Sequence, residues 1–176
     1  DREVVAQKRL TEYQLKGVLL GRIFSDIKWP AKRLGARAPL VVGIAGKDPF
    51  GGAKAINGTG RVGKYAIRFK KIAKTSDLKG CHVVFITRKQ SASAQKIVTR
   101  CRGKGILVVC ETFRAFKAGP SVILYITRAG KPAFWIDRRI LSRERLHVDV
   151  SLMRFDEAQV MKGVVAEWGL KVKILA

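Results

Sequence analysis

Hydrophobic and polar positions follow two different periods along this chain, and the switches between them mark its elements. From Val4 to Trp29 the apolar residues recur at helical spacing. Tyr13, Leu20, Ile23, Phe24 and Ile27 share one face, with Lys16, Arg22 and Lys28 mostly off it. The pattern predicts a helix that Pro30 stops. Gly17 and Gly21 lower its propensity but permit close packing. After a basic turn, Leu40-Val41-Val42-Gly43-Ile44-Ala45 is apolar without alternation, as a strand covered on both faces would be. Asp48 and Pro49 then suit the cap and first position of a short helix ending near Asn57-Gly58.

Tyr65 to Lys70 alternates with period two, which predicts a half-exposed strand whose basic residues protect a sheet edge. His82 to Thr87 and Ile106 to Cys110 are two further dense apolar strands, separated by a polar helix over Ser91 to Arg102. Ala94, Ile97, Val98 and Cys101 form the inner stripe of that helix. Ser121 to Thr127 and Pro132 to Ile136 form a β-hairpin, with Gly130 in the turn. From Asp137 onward the charged, leucine-spaced sequence suits a helix packed on the sheet. The apolar residues from Val164 to Ile174 rule out a floppy tag without predicting an element. Alternating strands and helices with short glycine-containing turns predict an α/β fold: three layers, a mostly parallel open sheet with a terminal antiparallel hairpin, flanked by helices. With no internal repeat or low-complexity linker, residues 1–176 read as a single domain.

Charge changes the picture more than composition does. Lys and Arg number 36 against 13 acidic residues, a net charge of +23, while 47% hydrophobic residues suffice for a core without metal or disulfide staples. Such a balance attracts polyanions or an acidic protein partner. The basic residues are spread along the chain and alternate with apolar ones, as on a generally basic surface, so charge alone favours nucleic-acid binding and its distribution disfavours it. No apolar run reaches the roughly 18 residues a membrane span needs. The chain begins at Asp1, as a mature exported protein does after its signal peptide is removed and as a trimmed chain also does. Cys81, Cys101 and Cys110 lack C-x-x-C spacing, and His82 and His147 are far apart, which disfavours a zinc site.

The helix ending in Trp29-Pro30, the strand running into Gly46-Lys47-Asp48-Pro49-Phe50-Gly51, and the basic strand leading through Asp77-Leu78 to Cys81-His82-Val83-Val84-Phe85-Ile86 together resemble the YfiR-like family. The hairpin ending Phe134-Trp135-Ile136-Asp137 resembles that family's final strand. The resemblance is strongest over residues 12–160. It implies a periplasmic, exported domain that binds the periplasmic part of an inner-membrane diguanylate cyclase or sensor kinase and modulates it. It also implies redox-sensitive disulfides and small-molecule binding. The chain departs from the family at Lys117 to Ser121, at Arg143 to Arg154, in its last sixteen residues and in its very basic charge.

Open α/β sheets bind ligands beyond the carboxyl ends of their strands. Lys47, Asp48, Phe50, Arg88 and Glu111 fall on that rim and are the candidate ligand-binding residues, with Lys47 and Arg88 suited to an anion. The alternative is that Asp48 and Pro49 only cap a helix and Phe50 is core. Among cysteine pairings, Cys81 with Cys101 fits the topology best, both lying toward the amino edge of the sheet. With that bridge formed Cys110 would be left to link a homodimer, and buried free thiols are the other reading. No nucleophile elbow, Walker loop, metal-ligand pair or Cys-His-acid spacing is present, so neither catalysis nor a cofactor is expected. The expected function is therefore a non-enzymatic regulator, with a nucleic-acid-binding protein or a small-ligand receptor as alternatives.

Overall fold

The computed structural model describes residues 11–149 and the backbone strand Lys171–Leu175. Helix α1 (Glu12–Asp26) starts at Thr11, whose side chain accepts from the Gln14 N–H while the Gln14 side chain accepts from the Thr11 N–H. The expected helical stretch before Thr11 lies outside the described residues. At its other end α1 stops before Pro30, because Ile27–Lys28 (β1) pairs antiparallel with His147–Val148.

The main sheet is built from β2 (Leu40–Ala45), β3 (Arg61–Val62), β4 (Tyr65–Ile72), β5 (Val83–Ile86), β6 (Leu107–Cys110), β7 (Val122–Ile126) and β8 (Pro132–Asp137). Within it the order β8-β7-β6-β5-β2-β4-β3 is parallel from β7 to β4, while β8 is antiparallel to β7 and β3 to β4. The β7–β8 hairpin pairs Leu124 with Phe134, and Gly130 takes the positive φ of 76° that its turn needs. After α4 (Arg138–Arg143) and β9 (His147–Val148), β10 (Lys171–Leu175) lies parallel to β8. The sequence did not predict that strand.

Alternate residues of each buried strand feed two cores, as the two-residue period requires. Val42, Ile44, Val83, Phe85, Leu107 and Val109 meet Leu19, Leu20, Ile23 and Phe24 of α1 on one face, joined by Leu141 of α4. Val41, Val84, Ile86, Val108 and Cys110 meet the other face, where α2 (Ala94–Cys101) contributes Ala94, Val98 and Cys101 and α3 (Phe113–Phe116) contributes Ala115. The architecture is thus the three-layer α/β arrangement expected, mostly parallel with a terminal hairpin.

Three local expectations are corrected. Asp48 does not start a helix: its two carboxylate oxygens accept from the Phe50 and Gly52 N–H groups, closing a loop, and a 3-10 turn begins only at Ala53. The helix after Asp137 is one short segment, ended where Arg145 adopts φ 58° and the chain turns into β9. The polar helix begins at Ala94 rather than Ser91, because residues Arg88–Ser93 form a 3-10 turn first.

Candidate functional site

Strands β2, β5 and β6 leave the sheet at one rim, through Gly46, Thr87 and Glu111. Gly46 has φ 107°, and a Cβ there would collide with the Thr87 hydroxyl, which donates to the Ala45 carbonyl at 2.8 Å. The two strand exits are therefore locked side by side. Glu111 is buried, 5% exposed, and a buried carboxylate must be fully bonded. One oxygen accepts from the Tyr13 hydroxyl and from Lys16 Nζ, both at 2.9 Å, and the other from the Arg88 N–H at 2.8 Å.

Lys16 supplies the compensating charge. It is fully buried, bridges Glu111 and Glu12 Oε1 (2.6 Å), and lies 5.1 Å from the centre of the Tyr13 ring. The Arg88 guanidinium closes the network on Glu12 Oε1 at 2.8 Å. Two carboxylates thus face two cations. Burial pushes the Glu12 carboxyl up, but Lys16 and Arg88 outweigh it and hold the group below its ordinary range. Burial, reinforced by Glu111, pushes the Tyr13 phenol up, so it stays protonated and donates.

Of the residues expected at the rim, Arg88 and Glu111 meet in this network. Phe50 stands beside it, its ring 5.5 Å from Tyr13 and 5.1 Å from Phe85, in the role of a core residue. Asp48 is bound to its own loop, and Lys47 is exposed. Sequence reasoning missed Lys16, placing it off the apolar face. Its spacing held the signal, since Lys16 precedes Leu20 by four residues and Ile23 by seven, on the buried stripe itself. It also missed Glu144, whose carboxylate accepts from the Gly103 and Gly105 N–H groups at 2.7 and 2.8 Å and fixes the turn after α2.

At the opposite edge His82 joins β2 to the segment before it. The Val41 N–H donates to its Nδ1 at 2.9 Å, and Nε2 lies 2.8 Å from the Arg33 carbonyl, to which it donates. Burial pushes this imidazole below its ordinary pKa. Cys81, Cys101 and Cys110 are buried free thiols, all in the core that packs under α2. Burial pushes Cys101 and Cys110 up to about 12, and Cys81 contributes to the rise at Cys101. Beside the rim, a cavity of about 530 Å³ opens between the ends of β2 and β4 and helix α2. Among the described residues, no helix is long and apolar enough to cross a membrane.

Two solved structures match part of the chain. An O-acetylhomoserine (thiol)-lyase from Campylobacter jejuni is 15% identical over 64% of this chain and 30% of its own, with a TM-score of 0.43. The O-acetylhomoserine sulfhydrylase of Wolinella succinogenes is 16% identical over 65% of this chain and 36% of its own, with a TM-score of 0.35. The chain spans about a third of either enzyme, and likeness at this level carries nothing about activity. No curated protein matches the chain. The model of the YfiR/HmsC-like family matches residues 13–155, from Tyr13 of the rim network through the hairpin and beyond, and the chain belongs to that family.

Proposed function

We propose that the chain is a non-enzymatic periplasmic regulator that docks on the periplasmic part of an inner-membrane signalling protein, a diguanylate cyclase or a sensor kinase, and modulates it. Membership of the YfiR/HmsC-like family carries this reading. The charge layout supports it. Among the described residues every acid is engaged internally: Glu12, Glu111 and Asp26 with cations, Asp48, Asp77 and Glu144 with backbone N–H groups, Asp137 with both, and Asp149 with Lys28. The exterior is left cationic, which steers association toward an acidic partner. The rim supports it too, because its polar atoms are bonded to one another and tie α1 to the sheet.

The docking face we favour lies on α3 and the hairpin. Phe113 is 49% exposed and meets Tyr125 at a tilt and Trp135 edge to face, at 5.2 and 5.7 Å between centroids, with Arg114 and Lys117 exposed beside it. Exposed aromatics with arginine are the composition of interface anchors. The test is crosslinking capture from the native cell envelope with the tagged chain, at low and raised salt. Recovery of one inner-membrane sensor or cyclase that survives raised salt and is lost in Phe113→Ala is the expected result. Recovery of nucleic acid alone, or of anionic lipid released by salt, rejects the reading.

A further inference from the structure

The crossover from β4 to β5 consists of one 3-10 turn, Thr75–Leu78, whereas the next two crossovers carry α2 and α3 on the same face. A four-residue turn does not cover the strand face that a helix covers. The uncovered volume is the cavity of about 530 Å³. It sits where the chain order reverses around β2, between Gly46 after that strand and Gln90 after β5. In open α/β sheets such a reversal is where ligands enter.

Its lining is one-sided in charge. Lys71 and Lys74 reach it from the end of β4, and Lys96 and Arg100 from α2, with no carboxylate on its wall. The nearby acid Asp77 turns its oxygen to the Ala73 and Lys74 N–H groups, each at 2.9 Å. Lys71, Lys96 and Arg100 make no ion pair among the described residues. Lys96 and Arg100 are four apart on one short helix, a like-charge spacing that costs helix stability. A concave wall of one sign concentrates counter-ions. Ile72, Leu78 and Ile97 add an apolar wall, and Ser93 leaves α2 uncapped by its hydroxyl.

We propose that this cavity binds a small soluble anion carrying two or more phosphate or carboxylate groups. Four cations on two facing elements match separated negative groups better than one, and the apolar wall accepts the body that joins them. The volume lies within the range of small-molecule sites, roughly 300–1,000 Å³. The inference does not depend on docking to a membrane protein, because the purified chain alone tests it.

The full chain is titrated with pyrophosphate and with citrate at constant ionic strength, by calorimetry and by thermal shift. Saturable binding with a raised Tm is expected for at least one probe. Removing two lining cations in Lys96→Ala/Arg100→Ala weakens it by about tenfold or more per charge. Lys32→Ala/Arg37→Ala, which removes equal charge before the amino end of β2, leaves it unchanged. Absence of saturable binding overturns the proposal, as does equal weakening in both double variants. Binding to phosphatidylglycerol vesicles but to neither soluble probe overturns it in favour of a lipid surface. Circular dichroism confirms that each variant is folded.

Discussion

Replacing Glu111 by Ala tests the rim network most directly. The carboxylate accepts three hydrogen bonds, and its partner Lys16 has no exposed side-chain surface. At 2.9 Å the gross attraction between the two charges is about 6 kcal/mol for an effective dielectric of about 20. Desolvation of both ions offsets most of that, so the pair adds little net stability. Breaking it is a different matter. The variant leaves a buried ammonium with only Glu12, whose side chain is 34% exposed, and strands the Tyr13 hydroxyl and the Arg88 N–H. We expect a cost of about 3–5 kcal/mol in urea unfolding, with the m-value unchanged. For a chain of this size that is a fall in Tm of roughly 6–20 °C. The double variant Lys16→Met/Glu111→Gln removes both charges while keeping volume and an acceptor. It is expected to cost less than the sum of its two single variants by about 1–3 kcal/mol. A cost below about 1 kcal/mol for Glu111→Ala would mean that water reaches the network and screens it as at a surface. Additive single variants would show that Lys16 and Glu111 do not depend on each other. Either outcome refutes the reasoning.

Three further outcomes are expected. Gly17→Ala gains up to about 1 kcal/mol of helix propensity, yet its Cβ would collide with the Ala55 carbonyl, so we expect a net loss of about 1–3 kcal/mol by urea unfolding, and a gain would show that α1 can lift off the turn. His82 is held below its ordinary value of 6.5 by burial, so the unfolded chain takes up a proton first. Its contribution is complete above pH 6.5 and is lost as pH falls from there through the lowered folded value; the urea midpoint should fall over that range in the native chain and fall less in His82→Gln. The three buried thiols, with Cys101 and Cys110 pushed up to about 12, should resist alkylation at pH 8 in the folded chain and react once urea unfolds it; fast native labelling of either, or an intact mass lower by two hydrogens, would contradict three inert free thiols.

The layered fold was legible because its buried strands are apolar without alternation and are separated by segments of helical spacing. The runs Leu40 to Ala45, His82 to Thr87 and Ile106 to Cys110 are apolar on both faces, as strands of a covered parallel sheet are. Element ends were less legible because they are decided by partners distant in sequence. Pro30 is a local stop, yet α1 ends before it because β1 pairs with β9, more than a hundred residues away. Asp48-Pro49 is a sound local cap, yet the Asp48 carboxylate bonds within a loop that carries Phe50 onto Tyr13 and Phe85. Strand β10 follows a segment whose spacing specifies no single element, and only its pairing with β8 defines it.

The same distinction separates the two kinds of charge in this molecule. Lys16 and Glu111 are close only in the folded chain, 95 residues apart in sequence, so Glu111 reads as a rim residue open to a ligand and Lys16 as a polar residue off the helix's apolar face. Acids are scarce, and each described one has a partner within the chain: a backbone turn, the buried Lys16 or a more exposed cation. Cations outnumber acids, and most remain on the outside. Net charge alone therefore predicts attraction to anions without giving it a place. Where a crossover is too short to cover β4, surplus cations border a cavity, and general attraction acquires a definite geometry. Where α3 and the hairpin leave an aromatic ring exposed, Arg114 and Lys117 border an apolar face instead. A ligand in the first and a protein on the second would use the same excess charge through different contacts, so substitutions at Lys96 and Phe113 should be separable in their effects.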